Sequence, residues 1–337
     1  MRQLFSVYIT GLGSYLPERV LSNRDLEAMV ETSDEWIVSR TGMKERRIAA
    51  AEEFPSDMGA KAALKALQSA NVAPEEIDLL IVATMSPDYI TPSTAGLIQA
   101  QIGAVRAVSF DLQAACTGFL YALATAKAFL QSGIYKNALV VATEKMSAFM
   151  DYQDRSTCVL FGDGAAAAFL TLSDRGLRVD AISLGADGRL ADLISIPGGG
   201  SRHPASPDTL AKRLHYFKMS GNEVYKHAVR KMGGAVRECL AQAELTEEQI
   251  SWLIPHQANI RIINALAKDF QLDQARVYKT LEKYGNTSAS GIAIALDELI
   301  QQEKVEEGAH LLLTAFGGGL TWGAALLTQV GMSRGSF

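Results

Sequence analysis

The strongest constraint on this sequence is that part of it occurs twice. "NVAPEEIDLLIVA" at 71–83 lines up with "ELTEEQISWLIPH" at 244–256: a polar opening with two acidic residues, an isoleucine, then a strand-like apolar run. "NALVVAT" at 137–143 pairs in the same way with "AHLLLTA" at 309–315. Small-residue segments follow in both copies, "GDGAAAAFL" at 162–170 and "GGGLTWGAALL" at 317–327. The two offsets are 173 and 172 residues, with the order preserved. One such pair would carry little, since α/β stretches resemble one another; two at nearly one offset point to a duplication.

In the first copy, "AKAALKALQSA", "TAGLIQAQIG" and the segment after Cys116 have a helical period, while "DLLIVAT", "AVSFDL" and "ALVVAT" read as buried strands. Such alternation predicts helices packed on mainly parallel sheets. Two similar halves facing each other would leave a site at their seam. The length, 337 residues, also exceeds what one core usually serves. The stretch 186–215, rich in Gly, Pro and Ser, predicts a long loop.

A formal net charge of −5 with both signs dispersed argues against a nucleic-acid partner. The three cysteines, Cys116, Cys158 and Cys239, are far apart and form no C-x-x-C. That excludes a disulfide framework and a cysteine-rich zinc site, and fits a reducing cytoplasm. The apolar runs are too short for membrane insertion, and "MRQLFSVYITGLG" lacks the features of a signal peptide.

Four segments carry chemistry. In "DLQAACTGF", Cys116 precedes an apolar helix, where unpaired N–H groups and the helix dipole favour a thiolate. A small core filler is an equally good reading of that fragment alone. In "IPHQANIRI", His256 ends a strand, where α/β sites collect, although a lone histidine there is more often structural. In "YGNTSASGIAIAL", Asn286 leads into an apolar helix near the position equivalent to Cys116, which the offset puts at 288; alone it would be an N-cap. In "AFGGGLTWG", Gly317, Gly318 and Gly319 follow a buried strand and make either a tight turn or a bare N–H for an oxyanion. The conjunction is more specific than any member.

These motifs, with "TSDEWIVSRTGMKERR" near the start, resemble β-ketoacyl-acyl-carrier-protein synthase III through essentially the whole chain. The tail "GMSRGSF" and the 186–215 stretch match least. The resemblance implies an α/β thiolase-like fold, its duplicated βαβαβ halves packed as a layered αβαβα sandwich. Residues 1–178 would carry the nucleophile and 179–337 the His and Asn. It implies an acyltransferase that condenses an acyl-CoA primer with malonyl-acyl-carrier protein through an acyl-cysteine, initiating fatty-acid synthesis without a metal or redox cofactor. Cys116 would be acylated, and His256 and Asn286 would handle malonyl. The N–H groups of Cys116 and Gly318 would form the oxyanion hole, with Phe316 beside the cysteine. Trp36 and Arg155 would flank the adenine of coenzyme A, Arg40 would approach its phosphates, and Asn222 its pantetheine arm.

The family's carrier is acidic, so Lys226, Arg230, Lys231, Arg237 and Arg261 become candidate docking residues; a plain solvated basic face is the alternative. Thr91 stands where relatives reach across a homodimer to close the acyl pocket. A threonine there implies tolerance of primers longer than acetyl.

Chalcone-synthase-like polyketide enzymes and other acyl-transferring relatives share a Cys-His-Asn site, but "SRTGMKERR" and "GNEV" favour the synthase III branch. A thiolase needs a second cysteine that "AFGGGLTWG" lacks, and elongating condensing enzymes use histidine where Asn286 stands. From another class, the G-x-G of "YITGLGSYLPE" hints at a dinucleotide-binding oxidoreductase, but Leu16 replaces the third glycine. A non-catalytic acyl-binding protein would have no use for Cys, His and Asn together.

Overall fold

The computed structural model describes residues 6–302 and 305–331; the tail from 332 onward lies outside them. In chain order the strands of the main sheet are β1 (Val7–Tyr15), β2 (Leu79–Ala83), β3 (Val108–Leu112), β4 (Asn137–Lys145), β5 (Asp163–Leu172), β6 (Gly176–Ala186), β7 (Ile250–Pro255), β8 (His310–Gly317) and β9 (Thr321–Val330). Their order across the sheet is β7-β8-β9-β6-β1-β5-β4-β2-β3.

This order is symmetric about the β6–β1 seam, where Tyr8–Arg178 and Ile9–Leu177 are the pairs among the described residues. Outward from β1 the pairings run antiparallel to β5, antiparallel to β4, then parallel to β2 and β3. Outward from β6 they run antiparallel to β9, antiparallel to β8, parallel to β7, and end in a parallel bridge from Leu253 to Val277. The repeated segments therefore hold equivalent places: β2 answers to β7, and β4 to β8.

The helices that matter to the site are α1 (Asp34–Thr41), α2 (Pro55–Ala70), α3 (Thr94–Ile102), α4 (Gly118–Ser132), α5 (Gly221–Gln242), α6 (Ile260–Asp269) and α7 (Gly291–Gln302). Helices α2 and α3 cover one outer face, and α5 and α6 the other. Between the two arms, α4 and α7 pack on strands of both. A helix in a central layer must be apolar nearly all round, and every residue of α7 from Gly291 to Asp297 is buried. The result is the layered αβαβα arrangement.

The alanine-rich run of β5 follows from the same layering. Helices cover both faces of the strand, and small side chains let them approach. Gly11 and Gly13, the G-x-G of the opening strand, lie inside β1. A Cβ on Gly11 would stand 2.3 Å from the Ala66 carbonyl oxygen, and one on Gly13 2.5 Å from the Ala66 nitrogen. These glycines seat α2 on the sheet and do not cradle a dinucleotide.

The stretch 186–215 is not one long loop. It holds a 3-10 segment (Gly188–Leu193), a short strand Ile194–Ser195 paired with Lys218–Met219, and a helical turn (Pro207–Ala211). Local caps explain this: Ser206 accepts the Thr209 N–H, and Pro207 opens the turn.

Candidate active site

Helices α4 and α7 both start from a turn that side chains resist. Ala115 has φ +46° and Ser288 φ +53°, values rarely adopted outside glycine. Each opens a single 3-10 turn, Ala115–Thr117 and Ser288–Ser290, that runs directly into its helix. The true equivalence is thus Ala115 with Ser288, an offset of 173. The counterpart of Cys116 is Ala289, and Asn286 answers to Gln113, three residues earlier than the Cys116 position. The two turns meet: Cys116 Sγ lies 3.5 Å from Ser288 Oγ.

The glycine turn after β8 is pressed onto the cysteine loop. A Cβ on Gly317 would lie 2.8 Å from the Cys116 nitrogen and 3.2 Å from that of Thr117. Thr117 Oγ1 donates to the Ala114 carbonyl at 2.7 Å and meets Thr321 Oγ1 at 2.8 Å. Thr321 in turn donates to the Gly318 carbonyl at 3.1 Å. The two loops are held in register by a pair of threonines.

His256 follows β7 directly, its N–H donating to the Thr314 carbonyl of β8 at 2.8 Å. His256 is 3% exposed, and its Nδ1 has no hydrogen-bond partner among the described residues. Burial pushes its pKa down to about 4, so the imidazole is neutral near pH 7. Asn286 is also buried, and its Oδ1 accepts the Ser288 N–H at 2.9 Å. The segment leading to it is stapled by Gln257, whose Oε1 accepts the N–H groups of Thr280 (2.8 Å) and Leu281 (3.1 Å).

Cys116, His256 and Asn286 open onto one narrow cavity, walled by apolar side chains that include Phe161, Ile194, Phe217 and Phe316. This enclosure reverses one expectation. Burial pushes the Cys116 thiol up to about 12, the Ser288 hydrogen bond lowers it only in part, and nearby Glu144 adds to the rise. A helix terminus contributes typically about 0.3–1 kcal/mol toward the anion, too little to offset such burial. Cys116 rests as the thiol.

Glu144, at the end of β4, is fully buried. It accepts from Ser86 Oγ (2.5 Å), the Met85 N–H (3.1 Å) and Thr84 Oγ1 (3.3 Å), with the Ser288 side chain and the Ala289 amide close by. Burial pushes its carboxyl up to about 7.

Away from the cysteine, Trp36 of α1 carries two guanidiniums, Arg40 at 5.0 Å and Arg155 at 5.4 Å from its ring. Arg155 also donates to the Glu31 carbonyl at 3.1 Å. Asn222 is exposed on the first turn of α5, the helix whose Val224, Ala228 and Met232 line the cavity. Lys226 and Arg230 edge a groove between α5 and α6 with Tyr225, Arg237 and Lys268, and Arg261 lies 5.3 Å from the Tyr225 ring. Arg237 is tied to Glu247 and Asp269.

Lys231 does not share this groove. One residue further is about 100° around a helix, and its ammonium sits 3.8 Å over the Trp322 ring. Thr91 is exposed on this chain and does not line the cavity.

Sequence reasoning passed over Ser288, Glu144, Gln257 and Arg46. The repeat offset pointed at Ser288. Arg46, in the "TGMKERR" motif, is fully buried and donates to the Val159 carbonyl (2.6 Å) and Asn23 Oδ1 (2.8 Å). It thereby fixes the segment that delivers Phe161 to the cavity.

Comparison with known proteins identifies a family over nearly the whole chain. The model described as 3-Oxoacyl-[acyl-carrier-protein (ACP)] synthase III matches residues 110–188, and that of the C-terminal region of the same synthase matches 240–329. The β-ketoacyl-[acyl-carrier-protein] synthase III of Chlamydia caviae is 55% identical over 331 residues, 98% of this chain and 99% of that protein. The crystal structure of 3-oxoacyl-[acyl-carrier-protein] synthase III from Aquifex aeolicus superposes with a TM-score of 0.88 at 49% identity, covering 96% of this chain and 99% of that one. The priming β-ketosynthase of the R1128 polyketide pathway superposes with a TM-score of 0.88 at 36% identity, covering 98% and 99%. The chain belongs to the β-ketoacyl-[acyl-carrier-protein] synthase III family.

Proposed function

We propose that Cys116, His256 and Asn286 divide between them the two stages of this family's condensation. The chain is a condensing acyltransferase that starts fatty-acid synthesis from an acyl-CoA and malonyl-acyl-carrier protein. In the first stage the Cys116 sulfur attacks the acyl-CoA thioester, and the N–H groups of Cys116 and Gly318 take the oxyanion. Thiol-for-thiol exchange is nearly balanced in energy, which suits a carrier intermediate. In the second stage malonyl loses CO2. Its thioester oxygen becomes an enolate held by hydrogen bonds from the neutral His256 ring and the Asn286 amide, and the enolate carbon attacks the acyl-cysteine. The electron pair for the new carbon–carbon bond comes from the bond to CO2, so the reaction requires no metal or redox cofactor.

The observation that carries this reading is the convergence of those three side chains on one apolar-walled cavity. Mass spectrometry after acyl-CoA addition tests it: a thioester forms on Cys116 and is absent from Cys116→Ala. That variant keeps part of the malonyl decarboxylation. Normal condensation by Cys116→Ala would overturn the assignment.

The remaining assignments extend the same reading. Trp36 and Arg155 flank the adenine of coenzyme A, Arg40 meets its phosphates and Asn222 its pantetheine arm; the cation–aromatic cluster supports this. The acidic carrier docks on Lys226, Arg230 and Arg261, along the basic groove. Residues 1–178 and 179–337 act as two halves, with the division inside β6. A second copy covers the free edge strand β3, near the exposed Tyr89 and Ile90. It thereby brings Thr91 to the acyl pocket of its neighbour, where a threonine leaves room for primers longer than acetyl. A series of primers of rising length tests that point, and strict preference for acetyl-CoA would refute it. No helix among the described residues is long and apolar enough to cross a membrane, and the thiol chemistry suits the cytoplasm.

A further inference from the structure

Behind the cysteine lies a carboxyl group for which the two stages above have no use. Glu144 is 0% exposed and is enclosed by hydroxyls and amides: it accepts from Ser86, Thr84 and the Met85 N–H, with the Ser288 hydroxyl and the Ala289 amide close by. Lys145, next in sequence, points to the other face of β4 and binds the carbonyls of Ala50, Ala51 and Glu53. Among the described residues, the titratable group facing Glu144 is Cys116. Burying a carboxyl without a counter-ion is costly, and β4 would pack more cheaply with an apolar residue there.

The contacts of Glu144 lead toward the reacting sulfur. The Ser288 hydroxyl stands beside the Glu144 carboxyl, lies 3.5 Å from Cys116 Sγ and donates to Met85 Sδ at 3.3 Å. A hydroxyl donates one hydrogen bond and accepts two. Rotation of the Ser288 proton from the weak thioether acceptor to Glu144 leaves a lone pair for the Cys116 S–H. The positive φ of Ser288 holds the hydroxyl in that place.

Acyl transfer requires Cys116 to lose a proton that its surroundings otherwise retain. His256 is a poor acceptor, because burial holds its pKa near 4. Glu144, pushed up to about 7, is matched to neutral pH, where a general base works best.

We propose that Glu144 receives the Cys116 proton through the Ser288 hydroxyl during acylation. The inference rests on the reading of Cys116 as the acyl acceptor. As sulfur bonds to the thioester carbon, the S–H bond breaks and its proton passes to Ser288 Oγ, whose own proton moves to the Glu144 carboxylate. When the bond to coenzyme A breaks, the departing thiolate recovers that proton by the reverse path, and Glu144 ends as it began. Ser288 touches the reacting sulfur and is catalytic; Glu144 acts through it as a positioning residue and proton reservoir.

Single-turnover acylation by acyl-CoA, followed from about pH 5 to 9 on the full chain, tests this, with malonyl-carrier decarboxylation measured alongside. In the parent the acylation rate levels off above about pH 7. Ser288→Ala and Glu144→Gln slow acylation roughly 10²-fold at pH 7 and replace the plateau with a continuous rise toward high pH. Glu144→Asp restores the plateau. Variants that keep the parent's pH profile would overturn the proposal, and so would a parallel loss of acylation and decarboxylation, the mark of a purely structural role. Failure of the underlying reading has a different signature: no thioester on Cys116 in the parent.

Discussion

Asn286 Oδ1 accepts the backbone N–H of Ser288 at 2.9 Å, which leaves the amide nitrogen as the end facing the cavity. Asn286→Asp replaces that donor with an acceptor of the same shape. Decarboxylation of malonyl-carrier protein should fall by roughly 10²–10³, while acyl capture on Cys116 persists. CO2 release and intact-protein mass separate the two, and equal loss of both would refute the division of labour.

Gly317→Ala should remove acylation. The new Cβ would lie 2.8 Å from the Cys116 nitrogen, so the glycine turn must retreat from the loop it aligns. Overpacking of this kind costs typically about 1–3 kcal/mol, and urea denaturation measures it. An alanine variant with normal stability and normal thioester formation would show that the close approach is dispensable.

His256 makes the fold sensitive to acid. Its folded pKa is depressed to about 4 from 6.5, so the unfolded chain binds the proton first. The contribution is fully present above about pH 6.5 and is lost as pH falls through about 4; it amounts to at most about 3 kcal/mol. Unfolding free energies between these limits should converge for the parent and His256→Gln as pH drops. Parallel curves would contradict a buried neutral imidazole.

Lys226→Glu combined with Arg230→Glu should weaken use of malonyl-carrier protein by at least roughly tenfold at low salt and spare acylation by acyl-CoA. Lys231→Glu should leave carrier use unchanged, because its ammonium faces Trp322 and not the groove. Steady-state kinetics over a range of salt concentrations decides between a docking surface and a solvated basic face. The docking reading fails if both half-reactions drop equally.

The strands were legible because burial on both faces leaves continuous apolar runs, and the duplication repeats them at β2 and β7 and at β4 and β8. Cys116, His256 and Asn286 were legible because each sits where such a run ends. The register between copies was not, since it is set by a positive φ at Ala115 and Ser288, residue types that give no sign of it. Nor was the state of the thiol: its walls come from Phe161, Ile194, Phe217 and Phe316, on separate segments of the chain. Glu144 reads in sequence as a polar strand end before a lysine. Its partners arrive from Thr84–Ser86 and from Ser288, so only the folded chain shows it to be enclosed.

Helices α4 and α7 begin in contact, at the turns that carry Cys116 and Ser288. Each helix start bears roughly half a unit of positive charge, so duplication has set two like poles against each other at the centre of the molecule. The buried Glu144 carboxyl beside the start of α7 meets part of that opposition, and the uncharged carbonyl of an acyl thioester adds little. An oxyanion or enolate formed between them relieves the rest, and the short-lived anion is therefore the species for which the protein's own charge distribution is balanced.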